Sequence, residues 1–521
     1  MRVQLAMGMA LGVGGHAAAI AAPPDLVVAL TGRDVNDFLG ISVSTAGDMN
    51  GDGFDDFAVG ANGNKGRVYV NLGGFAITPT PDLVLADNGA SRFGESVSSA
   101  GDFNGDGYSD LIVGGGFRQA YLFHGGPSLD ASVDLVFQGE HSFGTAVSSA
   151  GDVNGDGFDD VIIGDHFHNG QAFIFLGGPS GDSVADVVLT GTEILAGFGA
   201  SVGSAGDTNG DGFDDVLVGA PWYGSNYAEI GRVYLFFGGP TMDDTPDLIF
   251  TGEADFDTFG YSLGLAGDVD ADGFDDFIIG AGLNDAGGYN VGRAYIYLGD
   301  PAVDAVADWV LTGDPEYYSF GTSVGGAGDV NADGFSDVIV GAPSGGTLGP
   351  GRAHVFYGGA EPDNEADLMF EGEALDDRFG ISVACAGDLR GDGHSDLIVG
   401  AMWNDAGGFN AGRAYVMATD HSTAVQSIQT SESLSLDGPF PNPQHVGAPS
   451  RILFDLTQAE MVRFELYDIR GRRVSAIPPR LLPAGAGTLL WDTRGLATGT
   501  YYIQMGVSSG RSATSKWTVI R

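Results

Sequence analysis

Asp48-Met49-Asn50-Gly51-Asp52-Gly53-Phe54-Asp55-Asp56 places a side-chain oxygen at positions 1, 3, 5 and 9 of nine residues, with glycine at position 6. The pattern starts again at Asp102, Asp152, Asp207, Asp268, Asp329 and Asp388, 50 to 61 residues apart. Seven copies at a near-constant period indicate one repeated structural unit, and hence a closed or stacked array. Oxygen donors on alternate residues of a tight loop suit a hard cation.

The sequence around the fourth copy shows the unit. Phe198-Gly199 opens a short segment, strand A, that ends at Asp207. After the acidic loop, Phe213–Ala220 forms strand B, a continuous apolar run typical of a strand buried on both faces. Gly231–Gly238 and Asp247–Gly252 follow as strands C and D. Short strands separated by Gly, Asp and Pro describe a four-stranded antiparallel sheet. Seven such sheets arranged radially give an all-β fold, a seven-bladed β-propeller. Strands A to C occur seven times, the last C strand being Gly412–Met417, and no D strand follows it. A D-like strand, Asp25–Gly32, instead precedes the first A strand. The N-terminal strand is therefore expected to complete the seventh blade, which removes an exposed edge.

The A–B loops define the candidate metal ligands, in each case four side chains plus the carbonyl of position 7. They are Asp48, Asn50, Asp52, Phe54 and Asp56 in the first loop, and Asp102, Asn104, Asp106, Tyr108 and Asp110 in the second. Asp152, Asn154, Asp156, Phe158 and Asp160 form the third set, and Asp207, Asn209, Asp211, Phe213 and Asp215 the fourth. The fifth is Asp268, Asp270, Asp272, Phe274 and Asp276, and the sixth Asp329, Asn331, Asp333, Phe335 and Asp337. Carboxylates, an amide and a carbonyl fit Ca2+, which accepts six to eight oxygens in flexible geometry. Zinc is disfavoured because no His or Cys side chain is a ligand. Position 12 is Val or Ile inside strand B, where an EF-hand would need Glu. The seventh loop keeps Asp388, Asp392, Asp396 and the carbonyl of His394, but Arg390 occupies position 3. Arginine donates no oxygen and can itself neutralise the carboxylates, so six or seven sites are expected.

Phe-Gly at 93–94, 143–144, 198–199, 259–260, 320–321 and 379–380, with Gly-Ala-Pro at 219–221 and 341–343, resembles the FG-GAP repeat of integrin α-subunit propellers over about residues 25–420. Leu39-Gly40, Gly-Gly-Gly at 114–116 and Gly-Asp-His at 164–166 depart from that pattern. The resemblance implies a non-enzymatic adhesion or ligand-recognition module for an extracellular protein or glycan. Alternatives are a propeller attached to a hydrolase, phospholipase-like, or a structural surface-layer component. Strand order puts the A–B and C–D loops on one face and the B–C and D–A loops on the other. The second face carries Trp222, Tyr223, Tyr227, Tyr289, Trp403 and Phe409 on B–C loops and Tyr317 and Tyr318 on a D–A loop. Trp222 and Trp403 are the preferred anchors, since exposed aromatics make binding hot spots.

The ends of the chain differ from the repeats. Residues 1–22 read as a signal peptide, with Arg2, a short apolar run and small residues before a cleavage region. The propeller is expected over 23–420, a linker over 421–435, and a small immunoglobulin-like β-sandwich over 436–521. Leu466–Arg472, Trp491-Asp492 and Thr498–Tyr502 resemble the C-terminal sorting domain of type IX secretion. That resemblance implies export and surface attachment. The formal net charge is −47, yet residues 421–521 hold ten Lys/Arg against seven Asp/Glu. The acidity thus belongs to the repeats, and it argues against nucleic acid and anionic membrane as partners. No segment is long and apolar enough to read as a transmembrane helix. Cys385, the single cysteine, excludes an internal disulfide and reads as a small buried residue.

Overall fold

The computed structural model describes most of residues 26–419 and the strands of 434–520. The signal-peptide segment 1–22, residues 420–433, Tyr227 and the side chains of Tyr317 and Tyr318 lie outside the described residues. The chain divides into two compact units, Met1–Ser422 and Thr423–Arg521.

In the first unit the described residues form seven four-stranded antiparallel sheets. Blade 4 is typical, with strands Ser201–Gly206, Asp215–Ala220, Arg232–Phe236 and Leu248–Thr251 side by side in chain order. The A strands of successive blades pack against one another, and Leu39–Gly47 of blade 1 packs against Phe379–Gly387 of blade 7. Blade 7 is closed as expected: Leu26–Thr31 pairs antiparallel with Arg413–Met417. The unit is a seven-bladed β-propeller.

The core sits between blades. One cluster joins Ala46, Val68 and Leu85 of blade 1 to Phe93, Leu111 and Tyr121 of blade 2. Every residue of strand B is buried in all seven blades, as its apolar run requires. The Phe of each Phe-Gly pair packs edge-on to the third residue of its own C strand, as in Phe198–Tyr234 and Phe379–Tyr415, both 5.3 Å between centroids.

The repeated glycines interlock neighbouring blades. The Phe-Gly glycine has φ between 83° and 86° in every blade, including Gly40 after Leu39, so a side chain there would be strained. Its carbonyl lies against the glycine that ends strand B in the preceding blade. A Cβ added at Gly60, Gly114, Gly164, Gly219, Gly280, Gly341 or Gly400 would sit 2.0–2.4 Å from that oxygen. At five of the seven junctions the same carbonyl accepts a serine hydroxyl from the preceding A strand, for example Ser201 Oγ to Gly260 O at 2.6 Å. Ser382 Oγ to Gly40 O at 2.8 Å makes this contact between blades 7 and 1. At Cys385 the thiol does a hydroxyl's work. It accepts Gly387 N–H at 3.2 Å, as Ser204 Oγ accepts Gly206 N–H at 3.0 Å.

The second unit has a three-stranded sheet, Leu434–Phe440, Pro449–Leu456 and Gly485–Asp492, and a five-stranded sheet. Ile452 and Leu489 from the first share one core with Val462, Phe464, Leu466, Tyr501, Ile503 and Met505 from the second. Strand Leu434–Phe440 begins inside the expected linker 421–435, and Arg473–Leu482 is a strand that the sequence reading passed over. Both carry proline, and both lie at a sheet edge, where a strand tolerates it.

Candidate cation loops and the opposite face

Each acidic loop wraps around its first aspartate. The amide of Gly53, at position 6, donates to Asp48 Oδ2 at 2.8 Å, and this bond recurs in the other six loops at 2.8–3.0 Å. The position 6 glycines have φ between 87° and 95° with open space around them, so backbone conformation and not crowding selects glycine. Position 5 accepts the amide of position 7 at 3.0–3.2 Å. Carboxylates are thereby gathered on one side of the turn. In the fifth loop, oxygens of Asp268, Asp270 and Asp276 come within 4.8 Å of one another.

Position 9 is the buried member. Asp56, Asp110, Asp160, Asp215, Asp276, Asp337 and Asp396 are at most 1% exposed at the start of strand B. In the first six blades Oδ1 accepts a glycine amide from the C–D turn, Gly73, Gly125, Gly177, Gly238, Gly299 or Gly358, at 2.7–2.9 Å. Position 9 therefore ties the loop to the C–D turn as well as facing the other carboxylates. Burial pushes these six carboxyl groups up to about 7, against backbone hydrogen bonds that pull them down. A buried carboxylate beside others is stable as an anion only with a cation close by. The donor set of the first six loops, all hard oxygens with one buried acid, fits calcium.

The loops are also joined to one another. The position 8 amide of each blade donates to the position 1 carbonyl of the preceding blade in all seven junctions, at 2.9–3.4 Å, Asp55 N to Asp388 O among them. Where position 8 is aspartate, its carboxylate returns a bond to the position 1 amide, as Asp214 Oδ2 does to Asp152 N at 2.7 Å. The nine-residue pattern gives no sign of this ring, because it depends on blade-to-blade register.

The seventh loop differs. Arg390 Nη2 lies 2.9 Å from Asp392 Oδ2 and 3.0 Å from Asp396 Oδ1, and Nε lies 3.3 Å from Asp396 Oδ2. Burial raises Asp396 to about 6, with Arg390 holding it down.

The B–C and D–A loops lie together on the opposite face. In blade 7 the loop pair 372–378 and 402–412 borders an open cavity of about 520 Å³, with Asp377, Trp403, Asn404 and Asp405 in its wall. Asn404 Nδ2 donates to Asp377 Oδ2 at 2.8 Å, and Arg413 pairs with Glu373. Blade 5 repeats the construction, with Asn284 on Asp257 at 2.8 Å and Arg293 on Glu253 at 2.8 Å. Trp403 is half-buried under the Arg378 guanidinium, 4.4 Å from its ring. Trp222 is half-buried over Gly197 and edge-on to His166, and Tyr223 is covered by Arg232 at 3.6 Å. The exposed tips are Tyr289 at 77% and Phe409 at 65% on B–C loops, and Phe256 and Leu375 on D–A loops, with Leu375 and Phe409 lining the same cavity. Those two aliphatic and aromatic D–A residues carry no sequence signal, because an apolar residue in a loop reads equally well as buried.

The FG-GAP repeat family model matches residues 143–175, 198–236, 259–297 and 320–356, and related FG-GAP models match 48–113 and 363–417. The chain belongs to the FG-GAP repeat family. Its relatives include integrin alpha-5 of Xenopus laevis, 35% identical over 44% of this chain and 22% of the relative. Integrin alpha-PS2 of Drosophila melanogaster is 34% identical over 38% and 15%, and integrin alpha-IIb of Mus musculus 37% over 30% and 16%. The matched region thus spans about a fifth of those relatives. PorZ, a surface component of the type-IX secretion system of Porphyromonas gingivalis, aligns over 95% of this chain and 61% of its own with 14% identity and a TM-score of 0.42. No helix among the described residues is long and apolar enough to cross a membrane.

Proposed function

We propose that this chain is a secreted or cell-surface propeller that binds calcium through the A–B loops of blades 1 to 6 and recognises an extracellular protein or glycan through the opposite face. The observation that carries the reading is the division between the faces. The acidic loops, with their buried carboxylates, occupy one side. The other side presents Leu375 and Phe409 at a cavity of about 520 Å³ in blade 7, and exposed Phe256 and Tyr289 on the corresponding loops of blade 5. Apolar side chains clustered at loop tips mark interaction sites on soluble proteins. In the first six loops the side chains of positions 1, 3, 5 and 9 would hold the ion, with the position 7 carbonyl. The ion would supply positive charge that offsets the gathered carboxylates and rigidifies the ring. The reading assigns binding and not catalysis to the chain, in keeping with its integrin relatives. It further takes 436–521 as an export and attachment unit and 1–22 as a signal peptide.

The test is an array of extracellular-matrix proteins and glycans probed with wild type and with Phe409→Ala/Leu375→Ser, each with calcium and with EDTA. Binding that falls at least tenfold in the face variant, whose melting is unchanged, supports the reading. Binding untouched by the face variant but lost on altering the acidic loops at constant stability overturns the assignment of faces. For the C-terminal unit, truncation after 435 should abolish surface delivery in the native host, and normal delivery would refute it.

A further inference from the structure

Blade 7 is the blade in which the two ends of the propeller chain meet, and its cation loop is built differently from the other six. In blades 1 to 6 strand C runs into a turn whose glycine, six residues after the first residue of the strand, donates its N–H to the buried position 9 carboxylate. That glycine is required by a close approach. A Cβ on any of the six would lie 2.0–2.4 Å from the position 8 carbonyl oxygen. In blade 7 the equivalent residue is Thr419, 1% exposed, and its hydroxyl donates to that same carbonyl, Ser395 O, at 2.7 Å. The turn has no D strand to reach, because Leu26–Thr31 already fills that place.

Among the described residues, the Asp396 oxygen that would meet the glycine amide is met by Arg390. The guanidinium spans both oxygens of Asp396 and reaches Asp392. Arg390 is also the residue that replaces the Asn or Asp of position 3 in the other loops. Two substitutions, glycine to Thr419 and amide to Arg390, therefore occur together at one carboxylate. The planar fork of arginine matches a carboxylate's two oxygens and is charged at every working pH. A calcium ion entering this loop would have to displace a cation already bound, and would then sit next to it.

We propose that Arg390 is the resident cation of the seventh loop: it stands where calcium stands in the other six, and it latches the ring-closing blade without metal. The count of ions in this proposal rests on the calcium reading of loops 1 to 6, while the latch does not.

Calcium bound per full-length chain, counted by native mass spectrometry and equilibrium dialysis, should be six. Arg390→Asn restores the amide and should raise the count to seven. Asp333→Asn should lower it to five, whereas Asp392→Asn should leave it at six. In EDTA, Arg390→Asn should melt below wild type, and excess calcium should remove the difference. Seven ions on wild type, or one fewer on Asp392→Asn, overturns the proposal, and the second holds even if Arg390→Asn fails to fold. An unchanged count on Arg390→Asn also overturns it. Zero ions on wild type refutes the calcium reading itself, and the melting of Arg390→Asn in EDTA then decides the latch alone, with no decrease refuting it.

Discussion

His354 makes blade 6 acid-sensitive in a way that the other blades are not. It is the third residue of strand C, where the other blades carry Tyr69, Tyr121, Phe173, Tyr234, Tyr295 and Tyr415. It packs edge-on to Phe320 at 5.4 Å, as Phe173 packs to Phe143 at 5.3 Å. Its Nδ1 is buried without a hydrogen-bond partner. Burial, helped by nearby Arg352 and opposed by the Val340 backbone and Asp314, lowers the imidazole from 6.5 to about 4. A depressed pKa in the folded state means that the unfolded chain binds the proton more tightly. The stability contributed by neutral His354 is thus present above 6.5 and is lost as pH falls towards 4. Between pH 7.5 and pH 4.5 the loss is on the order of 2 to 3 kcal/mol. His354→Phe copies the arrangement of blade 3 and removes the titrating group. The buried carboxylates titrate in the same window in both proteins, so the comparison must be a difference. Urea denaturation of wild type and His354→Phe at the two pH values, in matched calcium, should show the variant gaining on the order of 2 to 3 kcal/mol relative to wild type on acidification. A constant difference across the two pH values would refute the account.

Three further outcomes follow from the same contacts. Calcium at ten times its dissociation constant adds about 1.4 kcal/mol per site, so six independent sites add roughly 8 kcal/mol, and EDTA should lower the melting midpoint by roughly 10 °C; an unchanged midpoint refutes calcium stabilisation. Gly341→Ala forces a Cβ to within 2.1 Å of Gly380 O and should cost about 3 kcal/mol or more in melting or urea experiments. Deleting residues 26–31 leaves Arg413–Met417 as an open edge, and size-exclusion chromatography should show aggregation in place of a monomer.

The architecture was legible because its signals are obligatory. A cation loop needs particular side chains at particular positions, and seven copies fix the number of blades. The strand ahead of the first repeat could be assigned because strands must pair. What could not be read were contacts that depend on register between blades. Gly60 and Gly94 each look like ordinary turn glycines, yet a Cβ at Gly60 would lie 2.1 Å from the Gly94 carbonyl. Asp214 looks like a spare acid beside Asp215, yet its carboxylate joins two loops. The face proposed for ligand binding was legible only as to which loops share it. Trp222 and Trp403 stand in those loops, but each is half-buried, one over glycine and one under arginine. In the second unit, proline in Leu434–Phe440 and Arg473–Leu482 hid two strands, because edge position cannot be seen in a sequence.

The two faces should respond to substitution in opposite ways. The position 8 amides bond every acidic loop to its neighbour, so the loops form one hydrogen-bonded ring. On the calcium reading, an ion in one loop should order the next, and the loss of one should weaken more than its own blade. Among the described residues, the hydrogen bonds of Asp211 stay within its own loop: its backbone amide donates to Asp207 Oδ1 and Asn209 Oδ1, and its Oδ1 accepts the Phe213 amide. Asp211→Asn should therefore reduce the calcium count by one and lower the melting midpoint, while leaving ligand affinity unchanged at temperatures well below that midpoint. Phe409 is anchored differently. Its carbonyl holds Asn36 N at 2.9 Å, but its ring is 65% exposed. Phe409→Ala keeps that backbone contact and removes only surface, so melting should barely move. Loss of a hot-spot ring should cost on the order of 2 kcal/mol of binding. Calorimetry on both variants, with whatever array hit binds wild type, separates the two effects. If Asp211→Asn weakens binding as much as Phe409→Ala at 20 °C or more below its melting midpoint (roughly twice the shift expected from EDTA), the acidic loops touch the ligand and the division of labour between the faces fails.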